Sequence, residues 1–440
     1  MALRKYLWKP ILNYRHSVID RYTTIESWES LSEEEIAALS TRRLQSLLDH
    51  AYENVPYYRE AFDARPAATN LTELPVLEKG DLQQNFEGLK SNDLPSRDWY
   101  KNATSGSTGQ PTTFVQDSHY ASFRDGLKLV FDEWGGRDIS DPKVKVWGAQ
   151  DDLSTGTSVR TKVGNWLRNL TWINAYSMSE DDLRRAGRVI NDEKPVTVHA
   201  YVEAVTNLAS FLEDHDLSVH SPASVMTTAG TLRPEMRAQI ERVFDCPVHN
   251  RYGSRELGTV ASECRYGTGL HYCPMLHHIE ILDPTTLEPV EPGETGEIVV
   301  TLLTNYSMPL IRYRIGDVGS FRKVQCDCGC RWPLLSNVQG RVTDHFVTPD
   351  GTLVYPGALR KALYHYDWID RFQIHQTSTE TVVFRLVSKQ HSPPESDLEA
   401  ISSRAKNVLG TDVTVEFDFP DEIERADSGK YRYTISDVSV

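Results

Sequence analysis

The sequence lacks long apolar runs and lacks an excess of basic residues. No stretch of the 440 residues approaches the roughly 20 continuous apolar residues of a membrane-spanning helix. The 47 Lys and Arg residues are outnumbered by 62 Asp and Glu residues, which gives a net charge of −15. This balance argues against a nucleic-acid-binding protein, because such proteins need a positively charged surface. The N-terminal segment also lacks the apolar stretch of a signal peptide, so we expect a cytoplasmic protein.

Cysteine is scarce, with six residues in the whole chain. In a long chain expected in the cytoplasm, disulfides are the poorer explanation. Cys326, Cys328 and Cys330 cluster at a turn, and Cys264 is followed by His271 in a glycine-rich segment. Two thiolates from one loop, with a thiolate and an imidazole from the other, would complete a closed tetrahedral zinc site that stabilises loops. The spacing differs from Cys-x-x-Cys, and reduced cysteines in unrelated loops are the alternative. The two isolated cysteines, at positions 246 and 273, are expected to be packing residues.

The chain is long enough for two or three domains. Strand and helix patterns alternate between residues 114 and 248, which predicts a layered α/β core. The first hundred residues are predicted to be mainly helical. A helix is expected to begin after Ser32, where Glu33 to Glu35 complete a capping signal. The clearest predicted elements are strands at 144–147, 196–198 and 297–303 and helices at 181–190 and 234–244.

A compact α+β unit follows near the C-terminus. Its predicted elements are two β segments within 372–387, a helix at 397–409 and a strand at 413–419. We therefore predict the α/β class, with a large layered N-terminal domain over residues 1–340 and a small α+β C-terminal domain over residues 341–440.

The segment Thr104-Ser105-Gly106-Ser107-Thr108-Gly109-Gln110-Pro111 combines small residues, hydroxyls and glycine. Successive backbone N–H groups in such a turn form a concave anion site, and the hydroxyls add donors. The segment is not a Walker A loop, because it has no lysine. It indicates a phosphate-binding loop, with a plain flexible loop as the alternative.

Five segments are informative when they are taken together. They are the loop above, Arg251-Tyr252-Gly253-Ser254-Arg255-Glu256, Arg312-Tyr313-Arg314-Ile315-Gly316-Asp317, Gly340-Arg341-Val342-Thr343-Asp344 and Ser428-Gly429-Lys430. In order and approximate spacing they resemble the signature motifs of the adenylate-forming acyl-CoA synthetase superfamily. The chain looks most like its phenylacetate–CoA ligase branch and the capsule-polysaccharide-biosynthesis relatives of that branch. The resemblance covers nearly the whole chain.

The resemblance implies ATP-dependent activation of a small-molecule carboxylic acid as an acyl-adenylate, with release of pyrophosphate. The acyl group would pass to CoA, or to an amine acceptor in polysaccharide or specialised metabolite biosynthesis. ATP, Mg²⁺, a structural Zn²⁺ and CoA are the implied cofactors. The small C-terminal domain would act as a mobile lid. The resemblance is also compatible with a homodimer.

The same resemblance assigns a nucleotide site. Its expected members are Thr104, Ser105, Gly106, Ser107, Thr108, Gly109, Ala229, Gly230, Tyr252, Gly253, Asp317 and Arg341. The loop would wrap the β- and γ-phosphates, and Tyr252 would stack on adenine. Asp317 would accept hydrogen bonds from the ribose hydroxyls, and Arg341 would contact ribose or phosphate at the interdomain hinge.

Two residues are expected to be catalytic. Glu256 would hold Mg²⁺ between phosphate oxygens. Lys430 would bridge the substrate carboxylate and the α-phosphate, where it offsets charge that builds up in the transition state. Taken singly, Glu256 and Asp317 could be surface carboxylates, Tyr252 a core residue and Lys430 part of a basic tail. A nucleotide-binding protein that keeps the fold without catalysis is the alternative function.

Cysteine and histidine positions also match those of branch members that carry a structural metal. The implied zinc ligands are Cys264, His271, Cys326 and Cys328. Cys330 is then an extra thiol that could compete for the fourth place.

The sequence departs from the family pattern at three places. Gln110 stands where a lysine is common, Thr343 stands where the hinge aspartate is usual, and the segment 228–231 replaces a Gly-Glu pairing. The acid pocket is expected between residues 147–150, Tyr176, Tyr201 and residues 229–230. Its polar side chains favour a more hydrophilic acid than an arylacetate.

Overall fold

The computed structural model describes residues 17–104, 112–147, 164–166, 168–174, 179–341, 346–349, 353–354, 359, 363, 366, 368–389, 393–423 and 433–438. Within this part of the chain, none of the helices is both long enough and apolar enough to cross a membrane.

Residues 17–98 are largely helical, as predicted for this part of the chain. The helices are α1 (Val18–Ser27), α2 (Glu33–Asn54), α3 (Pro56–Ala61) and α4 (Lys79–Gln84), with 3₁₀ turns at Trp28–Ser30, Ala68–Glu73 and Leu94–Ser96. The predicted capping box is confirmed. The Ser32 side chain accepts a hydrogen bond from the Glu35 N–H (3.2 Å), and the Glu35 carboxylate accepts one from the Ser32 N–H (2.9 Å). Helix α2 ends just before Pro56, whose ring disfavours helix at the residue before it.

An eleven-stranded mixed sheet forms the centre of the protein, in the order β10-β11-β12-β13-β9-β8-β7-β6-β5-β3-β4. Its strands are β3 (Lys143–Trp147), β4 (Leu170–Asn174), β5 (Thr197–Tyr201), β6 (Ser224–Thr228), β7 (Val248–Ser254), β8 (Gly258–Glu263), β9 (Leu270–Tyr272), β10 (His277–Leu282), β11 (Gly296–Leu302), β12 (Tyr313–Phe321) and β13 (Leu334–Arg341). A separate antiparallel hairpin, β1 (Trp99–Ala103) with β2 (Thr113–Asp117), brackets the glycine loop.

The sheet changes from parallel to antiparallel pairing at strand β7. This strand pairs parallel with β6 and antiparallel with β8. The strands from β4 to β7 in this order pair in parallel. Helix α5 (Ser118–Trp134) precedes β3, whereas α6 (Glu180–Glu193) lies between β4 and β5, α7 (Val202–Asp214) between β5 and β6, and α8 (Pro234–Phe244) between β6 and β7. This half confirms the predicted strand–helix alternation. In such sheets ligands bind at the carboxyl ends of parallel strands, near a change in strand order.

One face of the parallel strands packs into an apolar core. Val144, Val198 and Val225 are fully buried on three neighbouring strands, where they contact residues of α6, α7 and α8. Since successive side chains of a strand point to opposite faces, Lys143 and Lys145 lie on the other face of β3. The apolar cluster therefore fixes which face of the sheet carries its charged groups.

The C-terminal residues form a separate small α+β domain. Its sheet has the order β18-β17-β16-β19, with β16 (Ile369–Ser378), β17 (Thr381–Ser388), β18 (Thr414–Asp418) and β19 (Thr434–Ser436). Helix α9 (Glu395–Leu409) covers this sheet, and a short hairpin of β14 (Phe346–Val347) and β15 (Leu353–Val354) precedes it. Phe372, Phe384 and Ile401 belong to an apolar cluster of this region alone. The large α/β layer and the small α+β domain agree with the predicted fold class.

Candidate functional site

The glycine loop is closed at its base by a pair of hydrogen bonds. The Thr104 N–H donates to the Thr112 carbonyl (3.0 Å), and the Thr112 N–H donates to Oγ1 of Thr104 (3.2 Å). Thr112 is fully buried and accepts a further hydrogen bond from Nε2 of Gln83 (2.9 Å). The end of β1 and the start of β2 are thereby anchored on the protein. Residues 105–111 lie outside the described residues.

Gln116 connects this hairpin to the turn that carries Glu256. Its Nε2 donates to the carbonyls of Arg255 (3.1 Å) and Glu256 (3.0 Å), and its Oε1 accepts from Nδ2 of Asn102 (3.1 Å). The side chain of Gln116 is completely buried. The backbone of the Glu256 turn therefore has a fixed position relative to the base of the glycine loop.

Glu256 itself is only 7% exposed. It lies in the turn between β7 and β8, and the Tyr313 hydroxyl donates to its Oε1 at 3.5 Å. A carboxylate in such a turn, connected through Gln116 to the hairpin at the base of the glycine loop, can hold a hard cation with phosphate oxygens. Sequence reasoning missed Gln116 and gave Tyr313 no role. Tyr313 stood in one of the five motifs, which was the available signal.

Tyr252 and Asp317, both predicted for the nucleotide, contact each other. The Tyr252 hydroxyl donates to Oδ2 of Asp317 at 2.8 Å. Asp317 pairs with Arg341 directly across β12 and β13, so three predicted residues meet at one place. Tyr252 is 8% exposed and also packs in the main apolar core. The backbone of Arg341 is described, and its side chain lies outside the described residues.

The predicted adenine segment follows the carboxyl end of β6. Ala229 has a left-handed backbone (φ 59°), which is uncommon for a residue with a side chain. A Cβ at Gly230 would lie 3.1 Å from Cβ of Val202 at the start of α7. At Gly253 a Cβ would lie 2.2 Å from the Gly258 carbonyl oxygen, so glycine is required there by the close approach of β7 and β8.

Several predicted residues lie outside the described residues, and their placement stays a prediction. They are Ser105, Gly106, Ser107, Thr108, Gly109, Gln110, Tyr176, Thr343 and Lys430, with residues 148–150 of the acid pocket. Of that pocket, Trp147 and Tyr201 are described, and their ring centroids lie 4.4 Å apart. These two aromatic residues end neighbouring parallel strands and form a wall at the carboxyl edge of the sheet.

The motif arginines 312 and 314 have structural partners. Arg312 is buried and pairs with Glu280 through two contacts of 3.0 and 3.1 Å. Arg314 pairs with Glu297 and, at 3.2 Å, with Glu78. These pairs hold β12 in place, which in turn positions Tyr313 and Asp317.

The four predicted zinc ligands lie together. One possible ligand atom of each of Cys264, His271, Cys326 and Cys328 falls within 4.8 Å of all the others. Sγ of Cys264 is 3.6 Å from Sγ of Cys326, and Sγ of Cys328 is 3.4 Å from Nε2 of His271. Cys330 is not a member of this group and packs against the core that contains Cys273.

The donor set fits zinc. Two thiolates on a tetrahedral zinc, with Zn–S bonds of about 2.3 Å, would lie about 3.8 Å apart. Nδ1 of His271 is 3.0 Å from the Trp332 carbonyl, which can only accept, so the proton is on Nδ1 and Nε2 faces the thiols with its lone pair. Four protein ligands leave no open position, so the site suits a structural metal.

Comparison with known proteins shows similarity over nearly the whole chain. It is 23% identical over 420 residues to Protein CapK of Staphylococcus aureus, an alignment that covers 91% of this chain and 89% of CapK. It is 26% identical over 453 residues to the phenylacetate-coenzyme A ligase of Thermus thermophilus, covering 92% of this chain and 97% of that enzyme. Residues 346–437 match the family described as the CapK C-terminal domain.

The fold is similar to that of a solved ligase. A crystal structure of a 2-hydroxyisobutyryl-CoA ligase in the postadenylation state superposes with a TM-score of 0.69 and 20% identity. The match covers 93% of this chain and 91% of that protein. At this identity the likeness concerns the fold alone, and it includes both the large sheet and the C-terminal α+β region.

Proposed function

We propose that this chain, which is similar over nearly its whole length to Protein CapK and to a phenylacetate-coenzyme A ligase, is a member of the phenylacetate–coenzyme A ligase branch of the adenylate-forming ligases and activates a carboxylic acid with ATP. The substrate carboxylate attacks the α-phosphate of ATP, which gives an acyl-adenylate and releases pyrophosphate. A thiol then attacks the acyl carbon, AMP leaves, and a thioester forms. The relatives named as coenzyme A ligases favour CoA as this thiol.

The observation that carries the proposal is the contact between Tyr252 and Asp317, with Arg341 opposite. A carboxylate held by a tyrosine hydroxyl keeps a fixed orientation, and a carboxylate can accept hydrogen bonds from two ribose hydroxyls at once. These residues were predicted for the nucleotide from separate motifs, and they occupy one place in the fold. The left-handed turn at Ala229 follows a neighbouring parallel strand, where the base would lie.

The phosphate end would lie between the glycine loop and Glu256. Mg²⁺ bound by Glu256 and phosphate oxygens would neutralise the charge of the triphosphate during displacement of pyrophosphate. Thr104 anchors the loop, and Gln116 holds the backbone of the Glu256 turn. With Gln110 in place of a loop lysine, backbone N–H groups and hydroxyls supply the remaining donors.

Lys430 is proposed to contact both the substrate carboxylate and the α-phosphate. A cation there stabilises the charge of the pentavalent transition state and offsets repulsion between the two anions. In this proposal the C-terminal domain, residues 341–440, delivers Lys430 by closing on the N-terminal domain, residues 1–340. A later rotation would exchange that arrangement for one that admits CoA.

We also propose that Cys264, His271, Cys326 and Cys328 bind a structural Zn²⁺. The metal would tie the loop between β12 and β13 to β8 and β9, and so would support the strand that carries Asp317. It takes no part in the chemistry, because the four ligands fill a tetrahedral shell.

Pyrophosphate release across a panel of aryl, aliphatic and sugar-derived acids, with and without CoA, tests the function. We expect release with at least one class of acid and a CoA thioester as the product. Release without thioester formation, combined with amide formation from an added amine, would instead identify an amine acceptor. If ATP binds and no acid supports release, the chain is a nucleotide-binding protein that keeps the fold without catalysis.

A further inference from the structure

The sheet face opposite the apolar core carries a row of basic side chains. Lys145 on β3 is in register with His199 on β5 and with Trp172 on β4. Arg251 on β7 reaches back over Met226, and its Nη1 lies 3.3 Å from Nδ1 of His199. Three basic side chains from three strands therefore lie side by side under the carboxyl edge of the parallel strands.

A single buried carboxylate forms ion pairs with cations in and beside this row. Asp132, at the end of α5, is 2% exposed. Its oxygens lie 2.7 Å from Nζ of Lys143, 3.1 Å from Nη1 of Arg137 and 3.2 Å from Nη1 of Arg251. Three cations thus share one carboxylate, which leaves little capacity to neutralise a fourth.

Lys145 is that fourth cation. Its Nζ lies over the rings of Trp147 (5.3 Å) and Trp172 (4.7 Å), and it forms no ion pair within the described part of the chain. Two more donors of the row lack hydrogen-bond partners among the described residues, namely Nη2 of Arg251 and Nε2 of His199. Nε2 of His199 is 3.5 Å from Asp132 but outside hydrogen-bonding geometry.

This arrangement is costly without an anion. A cation or donor with restricted access to water and without a partner loses part of its hydration and gains nothing in return. Burial, followed by repulsion from Lys143 and Lys128, lowers the pKa of Lys145 to about 7. A bound anion would offset both effects and would satisfy the open donors of Arg251 and His199.

The row lies next to the proposed acid pocket. Trp147 and Tyr201 stand two residues after Lys145 and His199 on the same strands, so all four side chains share one face. An acid whose reacting carboxylate lies at the carboxyl edge of the sheet would pass Trp147 and Tyr201 and reach Lys145 with its far end. The row of basic side chains would therefore contact a substrate group that is remote from the carboxylate that reacts.

We propose that Lys145, His199 and Arg251 form a subsite for a second anionic group on the acid that this protein activates. The inference rests on the proposed function and narrows its substrate class to acids with a remote oxyanion, either a carboxylate or a phosphate. The aromatic rings beside Lys145 contact the connecting carbon chain. Asp132 is a positioning residue, because it holds Arg251 beside His199.

The test compares acids of equal chain length. A monocarboxylic acid, the dicarboxylic acid and the acid with a terminal phosphate are assayed for pyrophosphate release. We expect kcat/KM for one of the doubly anionic acids to exceed that of the monocarboxylic acid by about tenfold or more, since a desolvated charge pair contributes at least that much. The doubly anionic acid that gives the higher kcat/KM identifies the second anionic group as a carboxylate or a phosphate.

Variants of Lys145 locate the effect. Lys145→Met is expected to remove most of the preference while release with the monocarboxylic acid stays within about twofold, and Lys145→Arg is expected to keep the preference. Lys90→Met is the matched control, because Lys90 also lies over an aromatic ring, that of Phe86 at 5.2 Å, far along the chain from this row. Thermal unfolding of each variant establishes that it is folded.

Equal rates with all three acids, or an equal loss with all of them in Lys145→Met, would overturn the subsite and leave the proposed function standing. Absence of release with every acid would overturn the proposed function and the subsite with it. The two failures are therefore distinguishable in the same assay.

Discussion

The hydroxyl of Tyr252 donates a 2.8 Å hydrogen bond to Oδ2 of Asp317. This contact joins β7 to β12, which stand four places apart in the order of the large sheet. The sheet therefore curls so that the two side chains meet across its face. Because Arg341 lies opposite Asp317 on β13, the contact holds the end of β13, where the proposed interdomain hinge would begin. A substitution that removes the Tyr252 hydroxyl should therefore weaken nucleotide binding more than it lowers the stability of the fold.

Replacing Tyr252 with Phe removes this hydrogen bond and keeps the buried ring. A hydrogen bond to a charged group contributes about 1.5 to 3 kcal/mol, so the KM for ATP should rise by about tenfold or more. The acid KM should change little. Initial rates of pyrophosphate release at varied ATP test this, with Asp317→Asn expected to act in the same direction.

Tyr272→Phe is the matched control for that experiment. Tyr272 is equally buried in the same core, on β9, and it lies near Phe321. It has no predicted contact with the nucleotide, so its loss of a hydroxyl should leave the KM for ATP unchanged. A rise of equal size in both variants would show that Tyr252 acts only through packing.

Glu256→Gln should remove the proposed Mg²⁺ ligand while it preserves the shape of the side chain. The amide can still accept from the Tyr313 hydroxyl, so we expect a folded protein. We expect kcat/KM for pyrophosphate release to fall by about 100-fold and more Mg²⁺ to be required for half-maximal rate. Glu288→Gln, at an exposed loop position, is the control. An unchanged Mg²⁺ dependence in Glu256→Gln would refute the assignment.

The sequence predicted the parallel half of the sheet well. The strand at 144–147 and the helices at 181–190 and 234–244 agree with β3, α6 and α8 within three residues. These elements have strong local signals, namely apolar periodicity and proline or acidic residues in a first turn. The antiparallel half was largely missed, apart from β11. Strands such as β8 and β9 are short and carry buried polar residues, for example Ser262 and His271, so they lack an alternating pattern.

Site residues that belong to a sequence motif were predicted. Residues that reach the site only through the packing of the folded chain were missed. Tyr252 and Asp317 came from two motifs, but their mutual contact depends on the curvature of the sheet, which sequence spacing does not reveal. Gln116 follows a motif without belonging to one, and its role arises from the packing of β2 on the Glu256 turn. The row of basic side chains around Lys145 could not be predicted from the sequence, because its members come from separate strands that only the folded sheet places side by side.

Removing one cysteine of the metal group should release the metal. In Cys328→Ser we expect the zinc content to fall from about one ion per chain to near zero, with a thermal midpoint lower by several degrees. Elemental analysis and thermal unfolding measure the two effects. Cys246→Ser, which changes a half-buried cysteine elsewhere, should keep both values. If zinc is lost in Cys330→Ser and retained in Cys328→Ser, the fourth zinc ligand is Cys330 and not Cys328.

Lys430→Ala should abolish adenylation and leave ATP binding nearly intact. The proposed role of Lys430 is to stabilise the transition state, so its loss should lower kcat by about 100-fold or more. Equilibrium binding of ATP is measured beside pyrophosphate release. Lys389→Ala, at an exposed position of the C-terminal domain, is the control and should retain activity. An equal loss of ATP binding and of rate would contradict the assigned role.

His277 should make the large domain less stable in acid. Its ring is buried on β10, and Nε2 lies 3.2 Å from the Leu257 carbonyl, so Nε2 carries the proton of the neutral ring. Nδ1 has no hydrogen-bond partner among the described residues, and burial lowers the pKa of His277 to about 4. The unfolded chain takes up this proton near its ordinary pKa of about 6.5. Stability from the neutral ring is therefore present above that pH and is lost as the pH falls from 6.5 towards 4.

The size of this effect is measurable by urea unfolding between pH 6.5 and pH 4.5. One proton taken up on unfolding changes the free energy of unfolding by about 1.4 kcal/mol per pH unit. In His277→Gln the amide can still donate to Leu257 but does not titrate, so the slope should decrease by up to that amount. His220→Gln is the matched control, because half-buried His220 also lies 3.2 Å from a carbonyl, that of Pro195. If His277→Gln keeps the wild-type slope, the acid sensitivity comes from other groups, since only the replaced imidazole differs between the two proteins.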